Sequence, residues 1–179
     1  MNNDIEKVLF SQAQINHRID ELATTISAKY HDEFPVVVPV MTGAMMFAAE
    51  LMKRLDFNLN IDYVDVSSYE DSSKSSGKVR LLRDLSHDVS GRPVLMVEDI
   101  IDTGHTLEFL NKLFASRGAK SVEICSLLDK PERRETPVKI DYLGFTVPNE
   151  FIVGYGLDYN GLYRNLPYVG VLKRSVYEK

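Results

Sequence analysis

The sequence predicts an α/β fold in which helices cover both faces of a largely parallel sheet. Apolar runs such as FPVVVPVM (34–41) and RPVLMV (92–97) are continuous rather than alternating, the pattern of strands buried on both faces. Segments of helical periodicity fall between those runs, so strand and helix alternate along the chain. No internal repeat and no linker divides the 179 residues, a length that suits one domain with a real core.

Taken in order, Ile15, Ile19, Leu22 and Ile26 step by four, three and four, which marks one face of an amphipathic helix. The strand at 34–41 is stopped by Gly43, and AMMFAAELMKRL (44–55) follows with strong helix formers. IDYVDVSSY (61–69) alternates like a strand. The serine-rich stretch EDSSKSSGK (70–78) reads as a mobile loop between strand-like runs. The strand at 92–97 leads to the helix TLEFLNKLFASRG (106–118), closed by Gly118. SVEICSLL (121–128) is a further buried strand, and DYLGFTV and FIVGY are short strands near the end.

Composition narrows the functional classes. A net charge of -5 argues against a nucleic-acid partner, and a single cysteine, Cys125, excludes a disulfide framework and a cysteine-based zinc cluster. The amino-terminal residues do not read as a secretory signal, and no apolar run is long enough for a membrane span. A cytoplasmic location is therefore expected.

The chemistry concentrates in VLMVEDIIDTGHTL (94–107), where Glu98, Asp99 and Asp102 crowd the end of a buried strand. Ligands of open parallel sheets bind at such ends. The turn Thr103-Gly104-His105-Thr106 opens a helix, so free backbone N–H groups and the positive helix end face outward. Gly104 permits close approach of an anion, and the two threonines add hydroxyl donors. The preceding acids can accept hydrogen bonds from sugar hydroxyls, so a ribose 5-phosphate would satisfy the whole stretch. A helix cap alone needs only one such residue. Other nucleotide signatures are absent: Gly77-Lys78 is followed by Val79 rather than Ser or Thr, and the four histidines lack metal-ligand spacing.

VEDIIDTGHTL (97–107) closely resembles the phosphoribosyl-pyrophosphate motif of the type I phosphoribosyltransferases. Three further stretches, VSSYEDSSKSSGKV (66–79), SLLDK (126–130) and FIVGYGLDYNGLYRNLPYVG (151–170), narrow the match. Together they resemble the bacterial hypoxanthine (hypoxanthine-guanine) phosphoribosyltransferase family over nearly the whole chain. The resemblance implies a parallel-sheet core as one domain over 1–179, with a small hood formed by the terminal segments. It implies transfer of ribose 5-phosphate from phosphoribosyl pyrophosphate to N9 of hypoxanthine, or of guanine, in purine salvage. It also implies Mg2+ as cofactor and a homodimer or homotetramer.

Carried over residue by residue, Glu98 and Asp99 hold the ribose hydroxyls, directly or through magnesium, and Asp158 is the protein ligand of a second magnesium. Thr103, Gly104, His105 and Thr106 line the 5′-phosphate loop, and Asp102 manages a proton near N7 of the purine. Lys130 donates to the 6-oxo group, Phe151 stacks on the ring and the Ile152 backbone meets its edge. Arg164 contacts pyrophosphate, as does the Met41-Thr42-Gly43 loop, with an expected non-proline cis bond at Met41-Thr42. The residue at the position of Thr42 is often basic in the family, so backbone rather than side-chain contacts are expected there. Ser68 and Tyr69 open a catalytic lid that runs to Lys78. Two other readings compete: a phosphoribosyltransferase for xanthine, adenine or a pyrimidine, and a non-enzymatic nucleotide-sensing regulator.

Overall fold

The continuous apolar runs form the centre of a sheet. The computed structural model describes residues 1–71 and 74–178, and the side chains of these except at 68–71 and 74–78. Its strands are β1 (Ile5–Phe10), β2 (Val36–Met41), β3 (Asn60–Ile61), β4 (Val64–Asp71), β5 (Lys74–Arg83), β6 (Pro93–Ile101), β7 (Ser121–Asp129), β8 (Tyr142–Thr146), β9 (Ile152–Val153) and β10 (Val169–Leu172). Its helices are α1 (Gln12–Tyr30), α2 (Met45–Met52), α3 (His105–Ser116) and α4 (Arg174–Tyr177).

The main sheet runs β5-β4-β2-β6-β7-β8, with β3 beside β2. Apart from the antiparallel β4–β5 pair, its ladders are parallel. The two faces divide the apolar strands by parity. Val37, Leu95 and Val97 pack with Ile15, Ile19 and Ile26 of α1 and Phe47 of α2. Val36, Val38, Val94 and Met96 pack with Leu107, Leu110 and Phe114 of α3. Helices on both faces leave no strand position facing water, which is why those runs show no alternation. Ser11 caps α1 through a capping box with Gln14, and Gly118 at φ +78° follows α3.

A second sheet, β1-β10-β9, is antiparallel and joins the two terminal segments into a hood. Tyr163 O–H donates to Asp4, and Lys173 N donates to the Asp4 carbonyl at 2.9 Å, holding the hood to the amino terminus. Among the described residues no helix is long and apolar enough to cross a membrane.

Two local expectations change. The stretch expected as a loop at 70–78 instead contributes to both arms of the β4–β5 hairpin, with Ser68 opposite Val79 and Glu70 opposite Ser75. Ladder hydrogen bonds need no apolar side chains, so a polar segment paired through its backbone gives no hydrophobic signal. Residues 72 and 73, and the side chains of Ser68 and Tyr69, lie outside the described residues. Strand β6 continues through Glu98 and Asp99 to Ile101, so both acids are within the strand rather than beyond it. Strands β1 and β10 carry no sequence signal of the kind used above, because each is defined by a partner at the other end of the chain.

Candidate active site

Alternation along β6 sends its two acids to opposite sides of the sheet. Glu98 lines a cleft of about 90 Å³ with Ile101, Asp102, Thr103, Gly104 and Thr106, at the α3 amino terminus. That volume suits a phosphate group rather than a nucleotide. Asp99 turns towards the β2–α2 loop, where a Cβ on Gly43 would lie 1.9 Å from its Oδ2. Any side chain at Gly43 would therefore collide with the acid.

Both carboxyls are held in an unfavourable state. Burial raises the Glu98 pKa well above the ordinary carboxylate range, and the nearby Asp99 raises it further. Its Oε2 is buried without a hydrogen-bond partner among the described residues. Burial also pushes Asp99 up to about 6, opposed by the Ile100 N–H, which donates to Oδ1 at 2.8 Å, and by Arg164. A buried, unpartnered carboxyl calls for a cation or a hydroxyl donor. Hard oxygen donors of this kind fit Mg2+. Among the described residues no three acids, histidines or cysteines gather closely enough to form a metal cage, so substrate oxygens would have to complete the coordination.

The 103–106 turn is held from behind. Gly104 takes the left-handed conformation at φ +92°, and a Cβ there would meet the Thr136 carbonyl at 2.6 Å. Glu135 N and Thr136 N both donate to the Thr103 carbonyl at 3.0 Å, and Arg134 Nε donates to the Asp102 carbonyl at 3.1 Å. His105 is tied through Nε2 to Glu135 (2.8 Å) and through Nδ1 to the Thr136 hydroxyl (2.9 Å), which gives it a structural task in the loop. Asp102 Oδ1 lies 3.1 Å from Arg133 Nε, an ion-pair distance without hydrogen-bond alignment, so that oxygen lacks a hydrogen-bond partner among the described residues.

Lys130 follows β7. Its N–H donates to the Ile101 carbonyl, and its ammonium donates to the Glu150 carbonyl at 3.0 Å, next to Phe151. Burial lowers its pKa, while Asp102 acts the other way. Lysine, Asp102 and Phe151 thus belong to one neighbourhood. Ile152 is buried in β9. Asp158 and Arg164 face each other at 2.7 Å, Gly161 N donates to Asp158, and Arg164 Nη1 donates to the Gly156 carbonyl at 2.6 Å. Both side chains also act on Asp99, which joins the hood loop to the strand acids. Met41-Thr42 is cis, as the resemblance implies, and Thr42 is exposed.

Several contributors went unnoticed in the sequence. A Cβ on Gly156 would sit 2.0 Å from the Gly43 carbonyl, so the pyrophosphate-loop candidate, Asp99 and the 154–164 segment interlock with no space between them. The spacing Gly154-x-Gly156 was the available signal. The supports Arg134, Glu135 and Thr136 lie in a charged run that reads as a solvated surface, and nothing local marks them.

A model of the phosphoribosyl transferase domain matches residues 9–160. The chain is 51% identical over 178 residues to the hypoxanthine-guanine phosphoribosyltransferase of Bacillus subtilis (strain 168), covering 99% of each. It is 50% identical over 179 residues to the bifunctional protein TilS/HprT of Listeria innocua, spanning 28% of that longer protein. Among solved structures, a hypoxanthine phosphoribosyltransferase from Staphylococcus aureus superposes with a TM-score of 0.97 at 43% identity, over 100% of this chain and 97% of that one.

Proposed function

The chain belongs to the phosphoribosyl transferase family, and on that premise we propose how its residues run a purine-salvage reaction. The enzyme transfers ribose 5-phosphate from phosphoribosyl pyrophosphate to N9 of hypoxanthine, giving IMP and pyrophosphate. Guanine, giving GMP, is the second acceptor we propose, following the name of the B. subtilis relative. The observation that carries the residue assignment is the pair of carboxyls on β6, both raised by burial and with Glu98 Oε2 lacking a hydrogen-bond partner among the described residues, beside a hydroxyl-rich helix start.

The 5′-phosphate takes the N–H groups and hydroxyls of Thr103 to Thr106. Glu98 and Asp99 accept from the ribose hydroxyls, and their charge favours the cationic sugar that forms as the bond at the anomeric carbon breaks. N9 of the base attacks that carbon as pyrophosphate leaves, and Asp102 manages the proton near N7. Lys130 donates to the 6-oxo oxygen; adenine presents a 6-amino donor there and is refused. Phe151 carries the ring and the Ile152 backbone meets its edge. Arg164 and the Thr42-Gly43 backbone receive pyrophosphate, with Ser68 and Tyr69 opening a lid over it.

Enzymes of this family use a metal ion, and we assign Mg2+, with Glu98, Asp99 and Asp158 as its protein partners. Bound there, it neutralises charge on the donor's phosphates. Homodimer or homotetramer assembly belongs to the same proposal, and light scattering measures it.

The test is the ultraviolet spectrum of hypoxanthine mixed with phosphoribosyl pyrophosphate and the protein. Conversion to IMP is expected, with guanine also consumed. Excess chelator should stop turnover and added magnesium restore it; full activity in chelator would sink the metal assignment. Turnover of xanthine, adenine or a pyrimidine in place of hypoxanthine would overturn the base assignment.

A further inference from the structure

The proposed base platform has a neighbour that the reaction above does not use. Phe151 immediately precedes β9, and its ring stacks on Tyr177 of α4, with centroids 4.8 Å apart and planes 26° from parallel. Tyr159 meets the same ring edge-on at 5.4 Å and 90°. Tyr159 and Tyr177 also touch each other at 6.5 Å. Despite this company Phe151 keeps 37% of its surface exposed. One ring face is therefore taken by Tyr177, while over a third of the residue's surface is left open to a ligand.

The arrangement is anchored. Tyr177 and Val176 pack against the hood core of Val153, Tyr163, Leu166 and Leu172. Leu172 N donates to the Phe151 carbonyl at 2.8 Å, and Lys173 Nζ donates to the Asn3 carbonyl at 2.6 Å. A four-residue helix has little stability of its own. Its position depends on these contacts and on the aromatic stack.

We propose that Tyr177 is a positioning residue for the purine, backing the Phe151 ring so that its open face is fixed in orientation before the base arrives. This rests on the reading of Phe151 as the base platform. A ring that can swing must be ordered by the ligand that stacks on it, whereas a ring already stacked and edge-gripped has been ordered by folding. The carboxy-terminal turn thereby acts on base affinity without touching the base, the sugar or the phosphates.

Steady-state kinetics and melting temperatures of wild type, Tyr177→Ala, Tyr177→Leu and Tyr177→Phe test this. In the Ala and Leu variants KM for hypoxanthine should rise roughly 3- to 10-fold, the weight of one aromatic pair. Their kcat at saturating hypoxanthine and KM for phosphoribosyl pyrophosphate should stay within about twofold, and Tyr177→Phe should restore the wild-type KM. If Tyr177→Ala does not fold, the contrast between Leu and Phe decides the matter in the same way. An unchanged hypoxanthine KM in Ala and Leu overturns the proposal. A lowered one does too, since Tyr177 would then cover the face the base needs. So does a parallel loss in kcat and both KM values, which would mean general loosening. Absence of turnover in the wild type would instead defeat the functional reading, and the two failures are distinct.

Discussion

Two pairs of charged side chains, linked through Asp99, are kept in opposite states. Glu98 and Asp99 sit on β6, in the middle of the sheet; Glu98 Oε2 has no hydrogen-bond partner among the described residues, and burial raises Asp99 to about 6. Asp158 and Arg164 sit on the hood loop, partly exposed, and satisfy each other at 2.7 Å. The strand pair has little freedom to relax, because the β7 ladder runs past it to Ile101 and the β2 ladder reaches the preceding Val97. The hood pair can exchange partners at small cost, since an exposed ion pair contributes little. One pair holds an unpartnered carboxyl oxygen, while the members of the other satisfy each other.

The largest effect is expected on the rigid side. Asp102→Asn keeps shape and removes charge, and kcat should fall by roughly 10²-fold or more. A kcat within about threefold of wild type would reduce Asp102 to a helix cap. Lys130 spans the two sides, leaving β7 and reaching the Glu150 carbonyl. Lys130→Gln should lower kcat/KM for hypoxanthine about 10- to 100-fold, since charge-assisted hydrogen bonds contribute roughly 1.5–3 kcal/mol. Discrimination against adenine should relax while the donor's Kd holds. A collapse of donor affinity with base preference unchanged would make Lys130 a phosphate ligand.

On the hood side the expected change is smaller. Arg164→Lys keeps the charge and loses the planar fork. KM for phosphoribosyl pyrophosphate should rise about 10-fold, the weight of one charge-assisted hydrogen bond, with KM for hypoxanthine unmoved. If both change equally, the hood loop is a structural brace and the contrast between the sides fails.

The smallest effect sharpens the comparison most. A carboxyl raised to about 6 keeps its proton in the folded state where the unfolded chain has lost it. Its contribution to stability therefore declines as pH rises from about 4 to about 6, and stays unfavourable above. Asp99→Asn should raise the melting temperature of the ligand-free protein at pH 7.5 by roughly 2–4 °C, the shift that 1 kcal/mol gives in a domain of this size. The gain should shrink towards pH 4. Scanning calorimetry across that range, with and without donor and magnesium, measures it. A lower melting temperature for Asp99→Asn at neutral pH would mean that Asp99 is already satisfied.

The same division governs what could be read from residues alone. The 97–107 stretch was legible because strand end, acids, glycine and helix start are adjacent in the chain. Buried strands and amphipathic helices were legible for the same local reason. What could not be read depends on distant partners: β1 pairs with β10, Thr136 closes over Gly104, and Gly156 abuts Gly43. The 70–78 part of the β4–β5 hairpin was hidden because its pairing is in the backbone while its sequence resembles a loop.

The order of synthesis gives the hood a further consequence. Strand β1 is made well before its partner β10, with Ile5 opposite Leu172. The β2–β6–β7 ladders and α3, which carry the 103–106 turn, join segments much closer in sequence. Contacts of short separation form sooner than those that close a long loop. A growing chain can therefore form the 103–106 turn before β10 can fix the hood strand that follows Phe151, and β1 must wait with an unpaired edge until β10 arrives.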